Sequence, residues 1–336
     1  MTATAKTADG ATARLIDAFA GWGRRNSWTL GLIGFLLVLL VFTRIIQPTY
    51  GVNGIRGLAV SVLPLALAAT AQAIVVISGG IDLSIGSMMA LTSVVAATSM
   101  QGQSEQTAIL VVLGVLLLGL ALGAVNGMLV VGTRVPDIVV TLAMLFVWAG
   151  FALLILNAPG GASAIWLRDL TRGSLLSEWI PKAAVLLVVV VAIIWIPIRR
   201  SRLGLSLYAI GSDQLAAYRS GVRVARTKVA AYMLTGLFAA LAGLSLTATT
   251  GIGTPVPGLR EYTLMSVAAV VLGGISLAGG RGGVAGPILA VVILSLLRTD
   301  MTFLRLNTNL ATVAQGIILV GVVMIGSLVQ LRRSRE

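Results

Sequence analysis

Gln72, Asp82, Asn126, Thr141, Trp148, Asn157 and Gln315 are polar or aromatic side chains set within or beside long apolar runs. Together they suit one chemistry, the recognition of a small hydroxylated solute. Amides donate and accept at once, and an indole offers a flat apolar face with a single N–H at its edge. Such a sparse lining can read hydroxyl groups without any covalent step. Asp82 stands out, because a charge near a bilayer centre costs at least ~2.5 kcal/mol. It has two readings: a cap for the helix that follows, through Ser84 and Gly86, or a solute contact. Asp137 follows Pro136 and is read as the cap of the fifth apolar run. Arg260 with Glu261, and Arg298 with Asp300, fall at run ends, where they pair locally or meet an external partner.

Much chemistry is excluded by what the sequence lacks. The chain has no His and no Cys, which removes imidazole acid–base work, thiolate metal sites and disulfides. A Gly-x-x-x-x-Gly-Lys-[Ser/Thr] phosphate cradle does not occur, and no series of carboxylates runs through the apolar segments. Neither nucleotide hydrolysis nor a proton relay is therefore expected of this chain, and no cofactor or metal is expected in it. The net charge of +13 sits at the ends of apolar runs rather than on one face, so nucleic acid is not an expected partner.

The elements that position these residues are membrane spans. With 57% apolar and only 10% charged residues, against about 25% charged in soluble domains, the chain reads as an all-α integral membrane protein. At ~20 residues per crossing, the apolar runs make about ten spans. They are Trp28–Ile46, Leu58–Ser78, Gly86–Met100, Thr107–Val131, Ile138–Asn157, Ala183–Pro197, Val229–Thr250, Tyr262–Leu277, Val284–Leu297 and Leu310–Val329. Residues 1–27 form an amino-terminal tail, 28–331 the membrane domain and 332–336 a short tail. The first run reads as an uncleaved span, since no cleavage site follows it. Placing both termini in the cytoplasm puts about two-thirds of the 24 Lys and Arg residues on that side, as the positive-inside rule asks.

Between the sixth and seventh spans lies the most basic loop, 199–228, with seven of the 24 basic residues. It holds a short helix with written ends: Ser212 or Asp213 caps the start, and Gly221 closes the end in the left-handed conformation. Asp213, Ala216, Ala217 and Ser220 recur at helical spacing and share one small, smooth face that invites a partner, with Arg223 just beyond. Glycine marks two further places. Ile77–Ser84 lies on Val271–Ala278 at a constant offset of 194, with Gly79-Gly80 matching Gly273-Gly274 and a further glycine turn following at Gly86 and at Gly279 to Gly283. Paired glycine breaks at corresponding places point to a transport pathway in a parallel repeat, or to one compact turn used twice. Gly119, Gly123 and Gly127, and Gly236, Ala240 and Gly243, are small residues spaced for close helix contact in a bundle or a dimer.

These residues together resemble a known family. Gly79-Gly80-Ile81-Asp82-Leu83-Ser84-Ile85-Gly86, the loop from Ala209-Ile210-Gly211 through Ala216-Ala217 to Ser220-Gly221-Val222, and Val271-Leu272-Gly273-Gly274 through Gly280-Arg281-Gly282 are similar to the membrane permeases of bacterial ABC sugar importers. The nearest group is the ribose, xylose, galactofuranose and autoinducer-2 type, and the similarity runs from about Leu58 to Leu328. The resemblance implies a permease fold of about ten helices with two glycine-broken segments, in an inner membrane. It implies a second permease chain (identical or not), cytoplasmic ATP-binding subunits carrying ATP and Mg, and a periplasmic sugar-binding protein. It also implies that Ser212 to Gly221 is a coupling helix docking on the ATPase. Where family members often carry Asn near the start of that motif, this chain has Ser212-Asp213. A branched-chain amino acid permease and an ion-gradient-driven transporter are the alternative readings.

Overall fold

A computed structural model of the chain describes residues 27–255 and 259–306, and scattered positions from 310 to 324. Among the described residues the fold is all-helical, with two isolated β-bridges, Gly160 to Gly253 and Ser174 to Pro181. In chain order the helices are α1 (Ser27–Ile46), α2 (Val52–Ile77), α3 (Ile85–Met100), α4 (Glu105–Thr133), α5 (Asp137–Ile155), α6 (Ile165–Thr171), α7 (Lys182–Arg200), α8 (Arg202–Ser212), α9 (Gln214–Arg219), α10 (Val224–Thr250), α11 (Leu259–Leu272) and α12 (Ala285–Phe303). Seven of these, α1, α2, α4, α5, α7, α10 and α12, are long and apolar enough to cross a membrane. The chain is a multi-pass membrane protein, but ten full crossings are not what the described residues give.

The differences have local causes. The third expected span is α3, only 16 residues long. The eighth is α11, which stops at Leu272 because the next two residues are glycines and Gly274 takes φ 80°. Expected helix through Leu277 is therefore turn. The tenth expected span is described only at scattered helical positions, and the pathway candidate Gln315, residues 1–26 and the carboxy-terminal tail lie outside the described residues. Loop 199–228 is also more ordered than a polar connection: α7 runs to Arg200, α8 and α9 follow, and α10 begins at Val224.

Helices α2, α3 and α10 form the centre, and most of their residues are buried. Along α4 the three spaced glycines face α10. A methyl group at Gly119 would overlap the Gly236 carbonyl, one at Gly123 the Tyr232 carbonyl, and one at Gly127 would lie 2.8 Å from the Val229 Cα. Small residues at this spacing thus set a contact within one chain, where lipid gives no hydrophobic drive and backbone proximity supplies the packing. Gly243 turns the other way, against Met89 and Thr92 of α3. Facing outward on α1, α4, α5 and α7 are Val38, Ile45, Leu110, Leu117, Phe146, Leu154, Val188 and Ile193, all exposed. A belt of this kind is suited to hydrocarbon and not to water.

At the end of the bundle away from α8 and α9, the short helix α6 is anchored by Glu105. Its carboxylate accepts from the Ile165 and Trp166 N–H groups at 3.1 and 3.3 Å. Those donors are unpaired ends of a helix, and a carboxylate is their natural acceptor.

Candidate functional site

Four of the seven polar candidates meet in one buried cluster where α2 gives way to α3. Asp82 accepts from the Ser84 N–H (2.8 Å) and from the Ser84 hydroxyl (2.6 Å). Asn126, on α4, donates to the Ser84 hydroxyl oxygen (2.7 Å) and reaches Asp82 at 3.5 Å. Trp148, on α5, donates from its indole N–H to the Asn126 carbonyl oxygen (3.1 Å). Thr141, one turn into α5, accepts from the Leu83 N–H at 3.1 Å. Asp82, Ser84, Asn126 and Thr141 are fully enclosed. This chain of hydrogen bonds satisfies its members mutually and fixes the segment 78–84 against α4 and α5, which is how a buried polar group in a bilayer is made tolerable.

The cap reading of Asp82 holds at Ser84 only. The Gly86 N–H goes instead to the Thr263 hydroxyl of α11 at 3.3 Å, and Gly86 sits inside the first turn of α3 rather than at a break. Asp137 does not cap α5: it is the first helical residue, with no side-chain cap bond. Its carboxylate accepts from the Tyr232 hydroxyl (3.0 Å) and pairs with Lys228 (3.5 Å), tying α5 to α10. Gln72 is fully enclosed, and neither amide atom has a hydrogen-bond partner among the described residues. Asn157 lies beyond the end of α5 and is exposed, outside the buried cluster. Arg298 pairs with Glu261, whereas Asp300 is buried away from it, with no hydrogen-bond partner among the described residues.

The second constellation is a junction of glycines. Gly79 (φ 81°) ends α2, with its N–H on the Val76 carbonyl (2.9 Å) and the Gly80 N–H on that of Val75 (3.0 Å). Gly274 ends α11 in the same manner, through Val271 (3.0 Å), with the Ile275 N–H on Val270 (3.1 Å). Closure therefore pairs Gly79 with Gly274, a register one residue from the pairing that identical letters give. The turn after α2 then meets the later glycine turn that leads to α12: the Gly280 N–H donates to the Ile77 carbonyl at 2.9 Å. A methyl at Gly279 would lie 2.9 Å from both the Gly79 Cα and the Gly211 carbonyl oxygen. Gly211, in the last turn of α8, has no room for one either, since it would overlap the Ile77 carbonyl. Tyr208 adds a bond from its hydroxyl to the Gly282 carbonyl (2.8 Å). Three backbones converge there because Gly79, Gly211 and Gly279 carry no side chain.

From that junction α9 projects. Asp213 ends α8 and caps α9, accepting from the Leu215 and Ala216 N–H groups at 2.8 and 2.9 Å. Gly221 (φ 84°) closes it, with the Gly221 N–H on the Tyr218 carbonyl and the Val222 N–H on the Ala217 carbonyl, each 3.0 Å. The expected small face is presented outward only in part, and larger side chains project beside it. Ala217 is 5% exposed and turned into the chain. Asp213, Ala216, Ser220 and Arg223 are exposed, and the bulk that projects is Leu215 (58%) and Tyr218 (68%). Beside α9 a groove of about 1040 Å³ is lined by Tyr218, Arg134, Arg223, Arg226 and Lys228. Among the described residues no group of three His, Cys, Asp or Glu is arranged to hold a metal ion.

A bundle with an apolar belt, a satisfied polar cluster and a capped helix on one end defines a membrane transport subunit. The family model described as "Branched-chain amino acid transport system / permease component" matches residues 54–323, and the chain belongs to that permease family. The ribose import permease protein of Escherichia coli strain K12 is 31% identical over 317 residues, covering 90% of this chain and 96% of the relative. That of Bacillus subtilis strain 168 is 32% identical over 298 residues, 86% and 90% of the two chains. An autoinducer 2 import system permease protein of Escherichia coli O9:H4 is 28% identical over 319 residues, 93% and 95%. No solved structure matches the chain.

Proposed function

We propose that this chain is the membrane-spanning subunit of an ATP-driven importer that passes a monosaccharide or similar small polyol inward by alternating access. The relatives named for ribose and autoinducer 2 span nearly the whole chain, and they favour a polyol over the amino acid of the family description. ATP and Mg belong to a cytoplasmic partner, which docks on α9. A second permease chain and a periplasmic sugar-binding protein complete the assembly, and both termini face the cytoplasm with loop 199–228.

The observation that carries this reading is the glycine junction. Helix α9 is joined to α8 by the single residue Asp213, and α8 is locked by backbone contact at Gly211 to the turn that ends α2 and to the Gly279-Gly280 turn ahead of α12. A displacement of α9 has no slack to take it up. It moves the turn that feeds α3 and the turn that feeds α12 together, which is what a gate driven from one side requires. Gly79, Gly80, Gly273 and Gly274 serve as the pivots of those turns.

The test uses the chain reconstituted with its ATPase, measuring solute-stimulated ATP hydrolysis. Leu215→Glu and Tyr218→Asp alter only what α9 presents outward. Burying a wrong charge at an aromatic or aliphatic anchor costs roughly 2–4 kcal/mol of docking, so stimulation falls at least about tenfold. Full stimulation in both variants would remove α9 from the coupling route. Ala217→Arg is the poorer probe, because Ala217 is buried within this chain.

A further inference from the structure

Away from the apolar belt, one side of the bundle breaks the pattern. Between α2, α11 and α12, toward the ends remote from the glycine junction, a cleft of about 320 Å³ is lined by Ser61, Glu261, Tyr262, Ser295, Arg298 and Thr299. That volume sits at the lower bound of small-molecule pockets, roughly 300–1000 Å³. Glu261 and Arg298 pair across it, and both side chains remain nearly half exposed. Exposed charges at a span end do not face hydrocarbon, so this side looks onto water or a second chain.

Its polar atoms are specific about what they ask for. The Ser61 hydroxyl already donates to the Leu58 carbonyl (2.9 Å) and the Thr299 hydroxyl to that of Ser295 (2.9 Å). At the rim, Thr302 donates to the Arg298 carbonyl (3.0 Å). The Ser61, Thr299 and Thr302 hydroxyls have therefore used their protons and present acceptor lone pairs. Donors to these three oxygens must come from the ligand. Arg298 contributes donors and Glu261 acceptors, while their mutual pairing cancels the net charge that would draw an ion. Tyr262 gives an aromatic face for C–H groups. A neutral solute with several hydroxyls meets all three demands. An anion finds its guanidinium already paired, and a cation finds its carboxylate already taken.

We propose that this cleft is the receiving site on the outer side, where a monosaccharide-class polyol first lodges before crossing; this rests on the importer reading and its orientation. The chain has no Cys, so single reporters can be placed without background. The probe is a membrane-impermeant maleimide added outside to Ser61→Cys and Thr299→Cys in the reconstituted transporter. D-Ribose, D-xylose and D-galactose are tested in turn, with uptake of each measured in parallel. The expected result is that both positions label, and that the accumulated sugar slows labelling of both, about tenfold at ten times its Kd. Leu117→Cys, in the apolar belt, neither labels nor responds. If a sugar is accumulated but leaves both rates unchanged, or if neither position reacts, the cleft is not the site and the importer reading stands. If none of the sugars is accumulated while ATP hydrolysis stays coupled to another solute, the monosaccharide reading falls and takes the cleft's assignment with it.

Discussion

Asn126 carries the most consequence of any single side chain, because it receives the Trp148 indole N–H and donates to Ser84 beside Asp82. Replacing it by Leu leaves a buried indole N–H without an acceptor and takes a donor from the Asp82–Ser84 pair. Stranding a buried polar group costs about 1–3 kcal/mol, so Asn126→Leu should lower the thermal unfolding midpoint in detergent. Trp148→Phe, which removes the donor instead, should cost less. A variant that keeps full stability yet loses uptake would recast the cluster as a solute contact. These four residues could be picked out from the sequence, since polar groups at membrane depth are rare enough to select themselves. Their partners were not. The pairing of Asp137 with Lys228 and Tyr232 spans from α5 to α10, and Pro136-Asp137 reads locally as a cap. Thr263 was missed because a Thr in an apolar helix is indistinguishable from one that bonds its own backbone.

At the scale of elements, one helix carries two glycines with opposite expectations. On α4, a methyl at Gly123 would overlap the Tyr232 carbonyl of α10, whereas nothing lies within 4 Å of the same position at Gly114. Gly123→Ala must push two backbones apart, and overpacking of this kind costs about 1–3 kcal/mol. Gly114→Ala meets open space and gains the helix propensity that Gly lacks, about 0.5–1 kcal/mol. Unfolding midpoints of the two variants should therefore move in opposite directions; movement together would mean that α4 and α10 do not approach as described. The spacing of small residues announced the contact, although sequence left open whether its partner lay in the same chain. The glycine turns show the converse. Identical letters pair Gly79 with Gly273, but hydrogen-bond closure pairs it with Gly274, because a turn is set by which residue takes positive φ and not by which letters coincide. Ala217 was misread for a related reason: helical spacing fixes which residues share a face, and only the neighbouring α8 and α10 decide which way that face looks.

The whole molecule has a polarity that neither residues nor helices possess alone. Its belt of Leu, Phe, Ile and Val sets the depth in lipid, the basic groove by α9 marks one end, and the cleft with Glu261 and Arg298 marks the other. Counting apolar runs could not supply this, since runs such as α3 and α11 are short and a count off by one inverts every loop beyond it. Charge is the better guide. Residues 199–228 carry seven of the 24 basic residues, and by the positive-inside rule such a loop is expected in the cytoplasm. The arrangement predicts that Tyr218→Cys and Thr302→Cys report from opposite compartments. Both side chains are exposed in the chain, and no native Cys competes. In intact cells an impermeant maleimide should label the position on α12 and spare that on α9; in inside-out vesicles the pattern should reverse. Labelling of both from one side would break the sequence of crossings between α9 and α12. Labelling of α9 alone from outside would place the helix beyond the reach of any ATP-hydrolysing partner, and no drive from the cell interior could then open the gate.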